Sequence, residues 1–519
     1  NQSVSNRITF KFGTISGTTI TWGTGTDLYV GTGNNGYTGW AMDTGNKRLV
    51  MAYNANYVGK YRVYNPDYTA VTNNLTAENY IGMSRGVVST FDKSYGSVAT
   101  YSTNNTNFSS IAYDSNSNKI VIVYADDTDT TGKAVVGTVN SANNTISFGT
   151  PVTFNSGTTE WTSVVFDSNS NKIVISYRDS ANSYYGTSIV GTVSGTSISF
   201  GTEVVFKSTF TEDTNMTFDT TANKVVLSYK VGVANTGNAL VGTVSGTSIS
   251  FGSEATFESG NPDSGADIVY DANANKTVIV YRDLGDSSQG KAVVGTVSGT
   301  SISFGTPVIY NTSGTSYSKV VYNSVDNNVI VAYRTASSGA RARVGTVSGT
   351  TISFGDEATV ASTSGVFYIG LGYNPQTNRI ALAYGDTGNS NQGTIFEGTI
   401  SGNTLSFDSG TIFNTNRTQW SAMAYDSTAD RIVLNFEAFG DSGRGKAMVI
   451  ETGGVTRGEV ADTNPASLDI IGSVSDNQLS LTAGEKYYVQ TDGTLSTTAG
   501  SPSVLAGTAI SATKLVVKT

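Results

Sequence analysis

The hydrophobic residues of this chain are grouped in short runs, separated by clusters of Gly, Asn, Ser, Thr and Asp. Some runs are apolar at every position, as in Ile120–Tyr124, while others alternate, with apolar side chains at Ile198, Phe200 and Val204. Continuous runs predict strands covered on both faces, whereas alternation predicts strands covered on one face. The pattern therefore predicts an all-β fold of many short strands joined by polar turns.

One phrase recurs along the chain with almost no change. The letters VGTVSGTSISFG occupy Val190–Gly201, Val241–Gly252 and Val294–Gly305, and Val344–Gly355 differs only at Thr351. The glycine of the FG pair falls at positions 149, 201, 252, 305 and 355, so the period is about 52 residues. Within each copy a Ser-Gly-Thr segment joins two strands, because Gly supplies the positive φ that a tight turn needs.

A second phrase recurs in step with the first. It consists of an aromatic residue or Met, then Asp or Asn, a polar tetrad and an apolar run, as between Tyr113 and Tyr124. Each polar tetrad predicts a hairpin turn, so one period contains four strands. The Asp or Asn residues of the eight copies are Asp43, Asp114, Asp167, Asp219, Asp271, Asn323, Asn374 and Asp426.

A four-stranded antiparallel unit repeated at this length is typical of a β-propeller blade. A β-sandwich would show alternation in nearly every strand, and a parallel β-helix would have shorter coils without hairpins. We therefore predict a β-propeller of about eight four-stranded blades, or of seven if the copy at Asp43 lies outside the ring.

The first and last units of the repeat array each lack strands that the other could supply. Arg7–Ile15 and Thr18–Thr24 have the pattern of third and fourth strands with no first and second before them. The last unit, near Ser421–Ile450, lacks a recognisable fourth strand. We predict that the N-terminal strand completes the last blade, since closure removes free sheet edges. The propeller is thus predicted over residues 1–457, and a small β domain over residues 458–519.

One stretch breaks the period. Asp43 and Asp114 are 114 − 43 = 71 residues apart, and the excess lies within Asn65–Asn107. Such an excess is either a loop inserted on one face of the ring, often the binding face, or a decayed blade with a longer connection. The sequence leaves both readings open.

Composition narrows the functional classes. The 519 residues carry a formal net charge of −9 without any cluster of Lys and Arg, which argues against nucleic acid binding. The chain has no Cys and no His, so disulfides, thiolate catalysis and the usual general base are missing. A hydrolase could still use carboxylates alone.

The ends and hydropathy of the chain bear on its location. No apolar run approaches the ~18 residues of a membrane-spanning helix, so membrane insertion is not predicted. The chain begins at Asn1 rather than Met, from which we expect that an upstream segment was removed or left out.

Two recurring polar motifs invite a chemical reading. Asp114, Asn116 and Asn118 have the spacing of the first ligands of a calcium loop. No Glu closes the loop at the required position, and Asx residues cap their own turns, so we predict structural turns. The segment Tyr177–Asp179 reads Tyr-Arg-Asp, as does Tyr281–Asp283.

The cationic position of the Tyr-Arg-Asp motif also recurs, as Lys230 and Arg334 in other units. Repetition at one place of the unit favours ion pairs between neighbouring blades, because a catalytic constellation places unlike residues in different blades. A full sialidase-type Asp-box is absent from the sequence.

Aromatic residues are candidates for a glycan platform, because sugars stack on rings and bond to Asn, Asp and Thr. Trp161 and Trp420 fall at equivalent first strands, so we expect them to pack between blades. The candidates on position are Trp40, Trp161, Trp420, Tyr184 and Tyr185.

The C-terminal segment resembles a known kind of module. Leu481–Val517 contains Leu481-Thr482, Gly484, Tyr487–Val489, Asp492–Leu495 and a Gly507–Leu515 stretch. In these positions it resembles small modules on tail and fibre proteins of marine and other tailed bacteriophages. The resemblance implies a virion component on a tail or appendage, and it implies no catalytic residues.

These observations lead to one functional expectation and two alternatives. We expect a structural or adhesive virion protein, such as a tail fibre, knob or decoration, that has no enzymatic activity. Its partners would be other virion proteins, a host surface glycan or further copies of itself. The alternatives are a secreted or cell-surface lectin-like propeller and a carboxylate-dependent glycan hydrolase. No catalytic, cofactor-binding or metal-binding residue is predicted.

Overall fold

The computed structural model describes residues 93–452 apart from 264–265, 338 and 362–364, together with 482, 486–487 and 495–497. Elsewhere it gives strands by their backbone alone. The chain divides into two compact units, Phe91–Gly454 and a second that combines Asn1–Thr90 with Val455–Thr519. In the described part of the chain, no helix has the length and apolar character needed to cross a membrane.

Within residues 93–452 the strands form seven antiparallel four-stranded sheets, here called blades 1 to 7. Their first, second and third strands run outwards from the centre, and the outer fourth strand is in two segments. Three strands, Ala99–Asp114, Val204–Asp219 and Thr411–Asp426, are 16 residues long and serve two blades each. The first half of such a strand is the outer strand of one blade, and the second half is the first strand of another.

The other strands of blades 1 to 4 are the following. Blade 1 has Lys119–Asp126, Thr131–Asn140, Thr145–Phe148 and Val152–Asn155; blade 2 has Thr159–Asp167, Lys172–Asp179, Tyr185–Ser194 and Ser197–Phe200. Blade 3 has Lys224–Val231, Thr236–Ser245, Ser248–Phe251 and Ala255–Glu258; blade 4 has Asp267–Asp271, Lys276–Asp283, Gln289–Ser298, Ser301–Phe304 and Val308–Asn311.

Blades 5 to 7 follow the same order. Blade 5 has Thr315–Asn323, Asn328–Thr335, Ala340–Ser348, Thr351–Phe354 and Ala358–Ala361; blade 6 has Val366–Asn374, Arg379–Asp386, Gln392–Ser401 and Thr404–Phe407. Blade 7 has Arg431–Ala438 and Arg444–Glu451. Two single 3-10 turns, Thr387–Asn389 and Phe439–Asp441, follow the second strands of blades 6 and 7.

The hydrophobic core lies between the blades. Seven clusters of buried side chains each join two neighbouring blades, and one of them joins blade 7 to blade 1. The second strands are covered on both faces, as their continuous apolar runs require: Ile120 and Ile122 on one face and Val121 and Val123 on the other are all 0 % exposed. The first strands contact one another in a closed circle. The fold of this unit is a β-propeller, which confirms the predicted fold class.

The strand that closes the ring differs from the prediction. Blade 7 is completed by Ser94–Tyr95 and by residues 99–105, which pair with Arg444–Glu451. Within the predicted closing segments, Arg7–Ile15 and Thr18–Thr24, the strands Gly13–Ser16 and Thr19–Trp22 pair with each other. The strand that completes blade 7 thus lies about 80 residues after the predicted one.

The sequence carried a signal for this strand. The Gly96 N–H donates to the Val449 carbonyl at 2.8 Å, just as the Gly149 N–H donates to Val136 at 2.9 Å. Gly96 is 149 − 96 = 53 residues before Gly149, so it continues the series of FG glycines. This pair is hard to recognise in the sequence because Tyr95 replaces the Phe of the FG pair. Residues 75–92 of the irregular stretch lie outside the described residues.

The second unit contains three further sheets. Thr38–Asp43, Arg48–Ala55, Val58–Tyr64 and Ala70–Asn74 form one, so the repeat copy at Asp43 belongs to this unit. Ile8–Phe10 pairs with Thr26–Tyr29. The five strands Val474–Ser475, Lys486–Val489, Leu495–Ser496, Val504–Ser511 and Lys514–Val517 form another. The division of the chain into two units thus groups residues 1–90 with residues 455–519. The sequence prediction instead assigned residues 1–457 to the propeller.

Candidate functional site

The first strands of six blades carry a bulge at the same place. In blade 2, Glu160 faces Arg178 and Ser163 faces Ser176, so two residues of the first strand lie opposite one of the second. The first bulge residue has a positive φ, which is costly for any residue other than glycine. These residues are Phe108 (49°), Trp161 (52°), Asp213 (54°), Tyr317 (53°), Tyr368 (54°) and Trp420 (49°).

Hydrogen bonds between blades hold the bulges in place. The Thr214 hydroxyl donates to the Trp161 carbonyl at 2.6 Å, and the Ser109 hydroxyl donates to the Trp420 carbonyl at 2.9 Å. Thr162 donates to the Phe108 carbonyl in the same way. In each case the donor follows the bulge residue of the next blade around the ring. Contacts with the neighbouring blades therefore hold the bulge residues in their unfavourable backbone conformation, as is common at functional sites.

Five of the bulge residues are aromatic, and their rings come together. The ring centroids of Phe108 and Trp161 are 5.0 Å apart, those of Phe108 and Trp420 4.5 Å, those of Trp420 and Tyr368 4.5 Å, and those of Tyr368 and Tyr317 5.3 Å. All five side chains are partly exposed. We call Phe108, Trp161, Tyr317, Tyr368 and Trp420 the aromatic crown. It lines a central channel of about 460 Å³.

Polar side chains line the channel beside the crown. The Asp213 carboxylate accepts from the Ala266 N–H at 2.8 Å, and the Asp267 carboxylate accepts from the Val320 N–H at 2.9 Å. Both bonds join one blade to the next. Burial raises the pKa of Asp267, an effect opposed by the Lys319 ammonium 3.7 Å away. The channel is therefore polar as well as aromatic, as binding clefts for small ligands usually are.

Basic side chains on the second strands form ion pairs near the crown. The Arg178 guanidinium lies 2.6 Å from Glu160 of its own blade and 3.7 Å from Glu212 of blade 3. Lys230 lies 3.6 Å from Glu212. The predicted ion pair between neighbouring blades is thus confirmed for Arg178. Arg282 pairs with Asp263 of its own blade and donates to Ser316 of blade 5 at 3.0 Å.

One carboxyl group near the crown is almost completely buried. Glu437, on the second strand of blade 7, is 1 % exposed, and its Oε1 accepts no hydrogen bond from the described residues. Burial raises its pKa to about 8, and the Asp127 carboxylate adds to the effect while Arg417 opposes it. Glu437 is consequently neutral over most of the physiological range, and it has little access to a ligand.

The candidate aromatic residues from the sequence have different positions. Trp161 and Trp420 do pack between blades, as expected, but they are also part-exposed members of the crown. Tyr184 is 45 % exposed, with its ring 5.4 Å from Phe210. Tyr185 begins the third strand of blade 2, where it pairs with Asp179 of the second strand. The side chain of Trp40 lies outside the described residues.

Sequence reasoning missed three members of the crown. Phe108, Tyr317 and Tyr368 each lie six residues before the Asp or Asn of the turn phrase, as do Trp161 and Trp420. An aromatic residue at this one position of the period was the available signal.

The Asp and Asn residues of the repeated turn are structural, as predicted. The Asp114 carboxylate accepts from the N–H groups of Asn116 and Ser117 at 2.9 and 3.1 Å, and Asn118 has a φ of 54°. The equivalent turns of the other blades have the same bonds. This confirms the turn interpretation of the motif.

Comparisons with known proteins give similar solved structures but no family. No family model and no curated protein matches the chain. A candidate 6-phosphogluconolactonase from Bacteroides uniformis has a similar structure, with 9% identity, a TM-score of 0.43, and coverage of 69% of this chain and 93% of that one. The leech intramolecular trans-sialidase (9%, TM-score 0.36, coverage 78% and 82%) and the NanB sialidase of Streptococcus pneumoniae (9%, 0.38, 78% and 83%) are also similar.

Proposed function

We propose that this chain is a carbohydrate-binding attachment protein without enzymatic activity, and that a glycan is held at the aromatic crown. The observation that carries the proposal is the crown itself, five part-exposed rings that lie close together in the lining of the channel. Sugar rings pack their C–H faces on aromatic side chains, which offer a large apolar area with little conformational freedom to lose. Ring side chains in strained positions are a feature that ordinary packing does not require.

The charged groups near the crown support binding rather than hydrolysis. Glu160 and Glu212 are engaged with Arg178 and Lys230. Glu437, whose raised pKa suits a general acid, is 1 % exposed and so cannot reach a bound sugar. Glycoside hydrolysis needs two carboxyl groups facing the scissile bond.

We assign this binding to the surface of a tailed-phage virion, with a host surface glycan as ligand and other virion proteins as partners. The resemblance of Leu481–Val517 to phage tail modules supports this part of the proposal. A secreted lectin-like propeller would use the same crown, so the genes flanking the coding sequence distinguish the two. Neighbouring tail genes support the virion role, and a neighbourhood of secretion genes contradicts it.

The crown is tested by binding of the purified chain to an array of bacterial surface polysaccharides. Tyr317 and Tyr322 lie near opposite ends of one strand, Thr315–Asn323, and both are partly exposed. We expect Tyr317→Ala to weaken glycan binding at least tenfold and Tyr322→Ala to leave it unchanged. Equal effects of the two substitutions would contradict the location of the glycan at the crown. Release of sugars from a bound polysaccharide would contradict the absence of enzymatic activity. Failure to bind any glycan would contradict the carbohydrate-binding function.

A further inference from the structure

The charges around the crown are distributed unevenly among the blades. The residue before each crown position faces a residue of the second strand. In blade 2 this pair is Glu160 and Arg178, and in blade 3 the equivalent pair is Glu212 and Lys230. A base thus faces an acid on this side of the crown, and each pair is close to neutral.

On the opposite side the residue that faces the cation across the two strands is uncharged. In blade 5, Arg334 faces the uncharged Ser316, which also accepts a hydrogen bond from Arg282. The Arg334 guanidinium lies over the ring of Phe367, 4.9 Å from its centroid. Phe367 precedes the crown residue Tyr368, and its ring is 5.9 Å from that of Tyr317. Arg334 therefore lies close to the crown residue Tyr317, and its charge opposes the burial that raises the pKa of that side chain.

A second cation lies further round the same side. Arg417 is exposed, and its guanidinium is 4.5 Å from the ring centroid of Phe439, which is 48 % exposed. When the Gln419 amide is oriented to satisfy its neighbours, its oxygen accepts from Arg417 Nη2 at 2.5 Å and from Nε at 3.1 Å. Among the residues that the structure describes, no carboxylate forms a salt bridge with Arg417. The Arg417 guanidinium is thus held in place by the neutral side chain of Gln419.

Glu437 is a carboxyl group close enough to Arg417 for the guanidinium charge to oppose the rise in its pKa. It is buried beneath Gln419, its cross-strand neighbour, and is neutral below about pH 8. The Arg417 charge also reaches the crown, since it opposes the burial that raises the pKa of Tyr368. An oriented guanidinium beside stacking aromatic rings is suited to a planar anionic group such as a carboxylate or sulfate.

We infer that the glycan bound at the crown is acidic, and that Arg417 and Arg334 receive its carboxylate or sulfate group while Trp420 and Tyr368 stack on the sugar. This inference rests on the proposed function, since it names the substrate class of the same site. The ligand would be an acidic surface polysaccharide, with its anionic groups directed towards blades 5 to 7.

The test uses the full chain and an array that holds polysaccharides with uronic acids, sulfated polysaccharides and neutral ones. Oligogalacturonate with its methyl ester, and dextran sulfate with dextran, are included as pairs that differ in charge alone. We expect the bound members to be acidic, with neutralisation of the best ligand lowering affinity at least tenfold. The two charged classes distinguish a carboxylate from a sulfate ligand.

Substitutions then locate the anionic group. Arg379 lies at the other end of the second strand of blade 6, away from the crown, and provides a control with the same loss of charge. We expect Arg417→Gln and Arg334→Gln each to weaken binding of the acidic ligand at least fivefold, and Arg379→Gln to change it less than twofold. Binding should also weaken with added salt, because the interaction is electrostatic.

The outcomes separate the two proposals. Binding of neutral polysaccharides as tightly as acidic ones would overturn the acidic substrate class and leave the crown as a glycan site. Equal effects of the Arg417, Arg334 and Arg379 variants would overturn the placement of the anionic group. Absence of binding to any polysaccharide would overturn both the glycan-binding function and this inference.

Discussion

The Trp420 indole Nε1–H donates to Asn107 Oδ1 at 2.9 Å, across a separation of 313 residues in the chain. Trp420 belongs to blade 7 and Asn107 to blade 1, so the bond lies at the junction where the ring closes. Asn435 of blade 7 donates to Ser109 of blade 1 at 2.8 Å in the same region. The crown and the closure of the propeller therefore share residues, and damage to one affects the other.

Trp420→Phe removes this hydrogen bond while keeping an aromatic ring in the crown. We expect the free energy of unfolding to fall by about 1 kcal/mol, the usual net value of one such bond. Urea unfolding followed by far-ultraviolet circular dichroism measures it. Trp161→Phe is the matched control, because no indole hydrogen bond of Trp161 occurs among residues 93–452. An equal loss in both variants would show that the bond to Asn107 contributes nothing specific.

A different kind of contact joins successive blades at their outer edges. A Cβ atom added to Gly252 would lie 1.9 Å from the carbonyl oxygen of Thr300, in the hairpin turn of the next blade. Gly201 and Thr247 have the same relationship. The FG glycine is thus retained in the repeat because a neighbouring backbone occupies the space of any side chain.

Gly252→Ala should consequently destabilise the ring by about 3 kcal/mol, since backbone must move to make room. Gly246→Ala is the control: Gly246 has a φ of +61° but nothing within 4 Å of an added Cβ, so only the conformational cost of about 1 kcal/mol applies. Thermal and urea unfolding of the two variants measures the difference. The contact explanation fails if Gly246→Ala is as destabilising as Gly252→Ala.

The repeats made most of the ring predictable. Continuous apolar runs such as Ile120–Tyr124 require cover on both faces, and stacked blades provide it, so the fold follows from the pattern. The turn function of Asp114 and its equivalents also follows from sequence, because an Asx residue caps its turn locally. Such inferences depend on neighbouring residues in the chain alone.

The closing strand and the crown were harder because they depend on residues far apart in the chain. Tyr95 and Gly96 resemble the Phe-Gly pair only when the partner strand, Arg444–Glu451, is known. Likewise, Phe108 and Trp420 contact each other only because the ring is closed at this point. Periodicity locates a position within a blade, but it does not show which positions face the channel.

The burial of Glu437 predicts a dependence of stability on pH. Its pKa is raised from 4.5 to about 8 in the folded protein. Between these two values the folded state retains a proton that the unfolded state releases, so the unfolding free energy falls as the pH rises, by at most about 1.4 kcal/mol per pH unit. The contribution is fully present below about pH 4.5 and is lost once the pH exceeds about 8.

Glu437→Gln should remove this part of the slope, because the amide stays neutral at every pH. Unfolding free energies from urea titrations at about pH 5, 7 and 9 test the prediction, with substitution of the exposed Glu203 by Gln as control. We expect the Glu437 variant to be the more stable protein at the highest pH. Identical slopes for the wild type and the Glu437 variant would show that the carboxyl group is not buried in its neutral form.

The strain in the crown predicts an unusual order of stability at Trp161. Its φ of 52° is favourable for glycine and costly for alanine. Trp161→Gly and Trp161→Ala both remove the ring contacts with Phe108 and Trp420, but only the glycine variant relieves the backbone. We therefore expect Trp161→Gly to be more stable than Trp161→Ala by about 1 kcal/mol.

The control for this order is an ordinary strand position. Thr138, partly exposed in the third strand of blade 1, does not have a positive φ, so Thr138→Gly should be less stable than Thr138→Ala by about 1 kcal/mol. Both Trp161 variants should lose glycan binding, because each removes the ring. A glycine variant more stable than the alanine variant would confirm that residue 161 keeps its unfavourable φ, whereas a more stable alanine variant would mean that the bulge relaxes once the ring is removed.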